Sequence, residues 1–142
     1  METDYLYKEL TSEIIKRFYM VYNVLGYGFL EKVYEKALKY ELEKAGLFVV
    51  RQKPINVFYE NELVGEYYAD FLVEEKVIIE LKASEKICEE HENQLINYLK
   101  ATEIEVGLLL NFGKKPEIKR KAFSNKNKTQ SNADDADPMD YR

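Results

Sequence analysis

The chain has 142 residues, 46% of them hydrophobic and 33% charged, with a formal charge of −5. That length holds one domain with a real core, and the balance excludes a disordered, collagen-like or indiscriminately nucleic-acid-coating protein. No apolar run approaches the roughly 20 residues that span a bilayer, and "METDYLYKEL" lacks the basic start and apolar core of a secretory signal, so a cytoplasmic location without membrane contact is expected.

In chain order, Leu6, Leu10, Ile14, Phe18, Val21 and Leu25 recur mostly four apart and predict an amphipathic helix that the "GYG" of Gly26 to Gly28 ends. Leu30, Val33, Tyr34, Ala37, Leu38, Leu42 and Ala45 form the stripe of a second helix, closed by Gly46. From Leu47 the period changes. "LFVVRQ", "INVFYE", "VGEYYADFLV" and "KVIIELKA" read as four strands of an antiparallel meander, separated by Pro54, by "EN" and by "EE". A third helix runs from Lys86 or Cys88 to Ala101, and "VGLLLNF", 106–112, reads as a strand covered on both faces. A further strand or short helix fits 118–123. The order of elements argues a layered α/β domain over residues 1–123, followed by a disordered polar tail over 124–142.

The chemistry concentrates in the third and fourth of these strands. In extended chain, residues two apart point the same way at roughly 6.5 to 7 Å, so Glu80 and Lys82 share one face of "KVIIELK" while Val77, Ile79 and Leu81 share the other. Asp70 joins them only if the hairpin register pairs it with Glu80. A three-residue loop, Glu74 to Lys76, does this and pairs Leu72 with Ile78 and Val73 with Val77; a two-residue turn would put Glu80 on the opposite face. Two converging carboxylates repel and favour a proton or a cation, which makes Asp70 and Glu80 candidate ligands of Mg²⁺, with Lys82 placed to orient or deprotonate water or to stabilise a phosphate. On spacing alone, an ordinary partly exposed Glu80–Lys82 pair beside an unrelated Asp70 is the favoured reading.

Other residues stand out less. The single Cys88 and single His91 cannot make a disulfide or a structural zinc site, and no nucleophile pairs with His91. Glu31 borders the second helix's apolar stripe, and Gln94 and Tyr98 follow His91 on the third helix. "KKPEIKRK" gathers Lys114, Lys115, Lys119, Arg120 and Lys121 around one acid, either as a solvated strand or turn or as a phosphate-tracking patch.

"GFLEKVYEKALKYELEKAGL", "GEYYADFLV", "VIIELKA", "HENQLINYL" and "GLLLNFG" together resemble the GxxExxY family, with Gly28, Glu31 and Tyr34 as its defining residues, over about Leu10 to Phe123. That family is placed in the PD-(D/E)XK nuclease superfamily. The resemblance implies a restriction-endonuclease-like three-layer core, a mixed and mostly antiparallel sheet flanked by helices. It implies a Mg²⁺- or Mn²⁺-dependent nuclease cutting DNA or RNA, with metal ligands Asp70 and Glu80 and catalytic residues Lys82, Glu31, Gln94 and Tyr98. Gln52 also matches a characteristic position, whereas Tyr22 replaces a His common in similar proteins. The alternative is a non-catalytic module on the same fold. It would bind nucleic acid through the five basic residues, or bind protein, a second copy of itself included, through some of its twelve tyrosines.

Overall fold

The computed structural model describes residues 6–128. Helices α1 (Lys8–Leu25) and α2 (Glu31–Lys44) come first. Strands β1 (Val49–Tyr59), β2 (Glu62–Val73) and β3 (Val77–Lys82), helix α3 (Glu89–Ala101), and strands β4 (Val106–Phe112) and β5 (Pro116–Ala122) follow. The sheet order is β1-β2-β3-β4-β5, antiparallel throughout except for the parallel β3–β4 pair that α3 connects. This is a mixed α/β fold of restriction-endonuclease-like architecture, with a sheet held between helices. No helix among the described residues is long and apolar enough to cross a membrane.

Alternation along the strands builds two cores. On one face Phe71, Val73, Val77, Ile79, Leu81, Leu108 and Leu110 pack beneath α1 and α2. On the other Ile55, Leu72, Ile78 and Leu109 meet Leu95, Tyr98 and Leu99 of α3. β3 and β4 are therefore apolar on both faces, as central strands covered by two helical layers must be. Gly107 lets α3 close down, because a Cβ there would stand 2.7 Å from Leu95 Cδ1. The α1–α2 face is strongly aromatic: Phe112 stacks on Tyr34 at 4.1 Å between centroids and meets Phe18 edge-on at 4.7 Å.

Three expectations need correction. "LFVVRQ" and "INVFYE" are one strand, β1, which runs through Pro54 opposite Tyr68. β1 is an edge strand, where a residue without an N–H leaves no ladder bond unmade. Leu30 and Val33, placed on the buried stripe of α2, are exposed, because Leu30 precedes the helix as its N-cap and the helix turns its Tyr34, Leu38 and Leu42 side to the sheet. Residues 124–128, assigned to the polar tail, pack on the domain. Asn125–Asn127 form a short 3-10 turn, the Asn125 N–H donates to Glu105 at 2.7 Å, and the Lys128 ammonium donates to the Thr102 and Ile104 carbonyls. The rest of that tail lies outside the described residues.

Candidate metal and phosphate site

The β2–β3 hairpin has the three-residue loop, with Val73 opposite Val77, Leu72 opposite Ile78 and Phe71 opposite Ile79. Beyond Phe71 and Ile79 the regular ladder stops. The Asp70 N–H donates to Glu80 Oε2 at 2.9 Å, and the Leu81 N–H donates to Asp70 Oδ2 at 2.7 Å. Two side-chain carboxylates thus take the places that strand carbonyls would fill, which satisfies buried amides while the strands part. The other side of β2 is irregular at the same level. β1 pairs Arg51 with Phe71 and Lys53 with Ala69, but Gln52 between them, opposite Asp70, adopts a left-handed backbone at φ 55°. Both departures from regular sheet fall on Asp70.

Burial leaves this pair poorly solvated. Glu80 is 6% exposed, and desolvation followed by the nearby Asp70 pushes its carboxyl up to about 8. Desolvation likewise raises Asp70 against the lowering effect of the Leu81 amide, with Glu35 and then Glu31 adding to the rise. Lys82 opposes these shifts at both carboxyls. Without a counter-cation the pair tends to hold a proton near neutral pH.

Asp70 Oδ1 and Glu80 Oε1 make no hydrogen bond to a described residue. That donor set fits a hard divalent ion bound by two carboxylate oxygens with water completing the shell. Among the described residues no group of three or more His, Cys, Asp or Glu side chains is gathered to hold an ion, which leaves water a large share of any coordination.

The two helical layers approach this gap from opposite faces. Glu31, the first residue of α2, is exposed, and its charge reaches both carboxyls. One turn on, Glu35 is only 13% exposed, pairs with Arg51 at 2.9 Å and accepts from Gln52 Nε2 at 3.4 Å. Glu35 weighs more on Asp70 than Glu31 does. Glu35 is not singled out by the sequence pattern, although its i, i+4 spacing from Glu31 puts both acids on one helix face. From α3, Tyr98 is buried, and its hydroxyl is raised to about 12 by desolvation and then by the charges of Glu80 and Asp70. Gln94, one turn earlier, is half-buried beside it.

Several conspicuous side chains have structural partners. The Tyr34 hydroxyl donates to the Gly26 carbonyl and accepts from the Phe29 N–H, which pins the loop that delivers Glu31. Tyr22 bonds the carbonyls of Gly113 and Lys114 at 2.8 Å each and so ties α1 to the β4–β5 turn. His91 Nδ1 accepts from the Cys88 N–H and closes the capping box of α3. Asn111, fully buried, binds the Ser84 N–H and carbonyl and thereby anchors the segment that leaves β3 just past Lys82.

The five basic residues do not share one face. Lys114 and Lys115 are exposed in the β4–β5 turn, and Lys119 is exposed on β5. Lys121 pairs with Glu92 of α3 at 2.6 Å, whereas Arg120, alternating to the other face, donates to the Leu6 carbonyl.

A family model described as the PD-(D/E)XK nuclease superfamily matches residues 8–121, from the first residue of α1 to the penultimate residue of β5. Neither a curated protein nor a solved structure matches the chain. Asp70 and the Glu80-Leu81-Lys82 triplet match the letters D and E-x-K of that family's name, with Ala69 in place of the proline, and Asp70 and Glu80 meet where β2 and β3 part. With that match across most of its length, the chain belongs to the PD-(D/E)XK nuclease superfamily.

Proposed function

We propose that the protein is a nuclease that hydrolyses phosphodiester bonds of DNA or RNA with Mg²⁺ or Mn²⁺. The observation that carries this reading is the parted β2–β3 ladder, in which Asp70 and Glu80 each spend one oxygen on the opposite strand and keep the other. Nucleases of this superfamily generally use divalent metal ions. Asp70 Oδ1 and Glu80 Oε1 would hold the ion, which when bound supplies Lewis-acid activation of water and charge neutralisation at the phosphate.

The chain's own groups do the rest. Lys82 positions the attacking water and stabilises negative charge growing on the phosphate. Glu31 adds negative charge at the mouth and favours cation occupancy, and the Tyr98 hydroxyl, which stays protonated, is available as a donor beside the carboxylates. Gln94 orients a carboxylate or water from α3. Gly28, Glu31 and Tyr34 carry the G-x-x-E-x-x-Y spacing, and the hydrogen bonds of Tyr34 explain why that spacing would serve a site built around Glu31. Lys114, Lys115 and Lys119 offer exposed charge for the nucleic-acid backbone, with Lys121 and Arg120 behind them.

A nuclease assay with Mg²⁺ or Mn²⁺ tests this reading on single- and double-stranded DNA and RNA. EDTA-sensitive cleavage that Glu80→Ala and Lys82→Ala each abolish is expected. Cleavage that survives both changes would assign the activity to a contaminant and end the proposal.

A further inference from the structure

The distal halves of β1 and β2 run past the end of β3, and between them and α3 lies a groove of about 790 Å³. Asp70, Glu80 and Lys82 do not line it, but Gln94 and Tyr98 do, and the charges of Glu80 and Asp70 bear on the Tyr98 hydroxyl. The groove therefore begins beside the candidate site and leads away from it.

Its floor is open because residue 65 is glycine. A Cβ on Gly65 would stand 3.2 Å from the Tyr67 ring and 3.5 Å from Val57 Cβ, so a larger side chain would fill the space between them. Tyr67 shares the face of Ile55, its cross-strand partner, and leans on Tyr98 at 5.9 Å between centroids while remaining 48% exposed. Opposite, α3 presents Asn93, Gln94 and Asn97, none of which has a side-chain hydrogen bond to a described residue. Asparagine is a weak helix former, so two of them on one helix face oppose local stability. Lys100 stands farther along the same groove.

Amide side chains facing an exposed aromatic ring are the chemistry that reads an unpaired base: the ring takes the base's face and the amides its Watson–Crick edge. The volume lies within the roughly 300–1,000 Å³ of small-ligand sites. A base still paired in a duplex presents neither its face nor that edge. We propose that this groove, floored by Gly65 and walled by Tyr67 and Asn97, is a subsite for one unpaired nucleobase of a single-stranded nucleic acid whose phosphate lies at Asp70 and Glu80. The inference rests on the nuclease reading and deepens it, because it makes the strand that enters the site single.

Binding in EDTA separates the subsite from cleavage. Fluorescence anisotropy would compare a labelled 12-nucleotide oligo-dU, its oligo-rU counterpart and a dU·dA duplex of the same length. Tighter binding of a single strand than of the duplex is expected, and the two single strands show which sugar the protein prefers. Tyr67→Ala should weaken single-strand binding at least about fivefold, the lower end of a lost base–aromatic stack. Gly65→Val, which fills the floor, should do as much, and Asn97→Ala should weaken binding without harming α3, since alanine is the better helix former. On an oligonucleotide with abasic positions throughout, the three variants should bind like the unaltered protein. Should Gly65→Val fail to fold, the surface change Tyr67→Ala decides.

If all folded variants bind as the unaltered protein does while metal-dependent cleavage persists, the subsite is refuted and the nuclease reading stands. If no oligonucleotide binds and none is cut with either metal, the nuclease reading fails and takes the subsite with it.

Discussion

The two ends of the β2–β3 pair are three residues apart and do opposite things. At the loop end, Leu72 faces Ile78 and Val73 faces Val77 in a closed ladder that is apolar on both sides. At the other end the ladder parts, and the carboxylates of Asp70 and Glu80 replace backbone carbonyls as acceptors. The closed end stabilises by burial. The open end concentrates charge in a place with little water, which costs stability and creates an affinity for cations and protons. A rigid apolar hairpin is what makes the second arrangement tolerable, because it fixes the register that sets the two acids side by side.

The largest expected effect separates the two ends. Glu80→Gln should reduce cleavage at least about 100-fold while leaving the melting temperature equal or higher, since it removes charge from a buried pair. Ile78→Ala should instead cost about 2–5 kcal/mol and lower the melting temperature by roughly 5–15 °C, with cleavage per folded molecule retained. Thermal melts and nuclease rates on the two variants check this, and a marked stability loss in Glu80→Gln would erase the contrast.

The pH dependence sharpens it. Glu80 titrates near 4.5 when unfolded and is pushed up to about 8 in the fold, so the folded state binds its proton more tightly. Stability from this group is full below the unfolded value and is lost as pH rises through about 8. In EDTA the melting temperature should fall over that window by several degrees more in the unaltered protein than in Glu80→Gln. Added Mg²⁺ should raise it more at pH 8 than at pH 5.5, because ion and proton compete for the same oxygens. A slope identical in the two proteins would remove the open end's supposed cost.

Smaller effects test the scaffold around the gap. Tyr34→Phe keeps the stack on Phe112 but loses both loop hydrogen bonds, for about 1 kcal/mol and a few degrees of melting temperature. Arg51→Ala breaks a pair whose arginine is half exposed, and calorimetry should show about 0.5 kcal/mol or less.

Much of this arrangement is legible in sequence because its causes are local. Helical spacing marks α1, α2 and α3, and turn length limits the hairpin to two registers, of which the structure adopts the one that sets Val73 opposite Val77. Pro54 misleads because a ladder bond is lost only in an interior strand, and edge position is a property of the whole sheet. Glu35 escapes because its partners Arg51 and Gln52 are distant in sequence, and the left-handed turn at Gln52 has no glycine to announce it. The run "KKPEIKRK" looks like one patch, yet β5 sends Lys121 to Glu92 and Arg120 to Leu6 on opposite faces.

The sequence by itself determined most of the elements and the residue types able to bind a cation, and narrowed the hairpin register to two choices, since periodicity and side-chain chemistry act over a few residues. Only the tertiary structure decided that the ladder parts at Asp70, that Glu35 and Tyr98 bear on it from opposite faces, and that Gly65 and Tyr67 open a groove against α3. Those outcomes depend on which surfaces bury one another, and burial is settled by the whole chain at once.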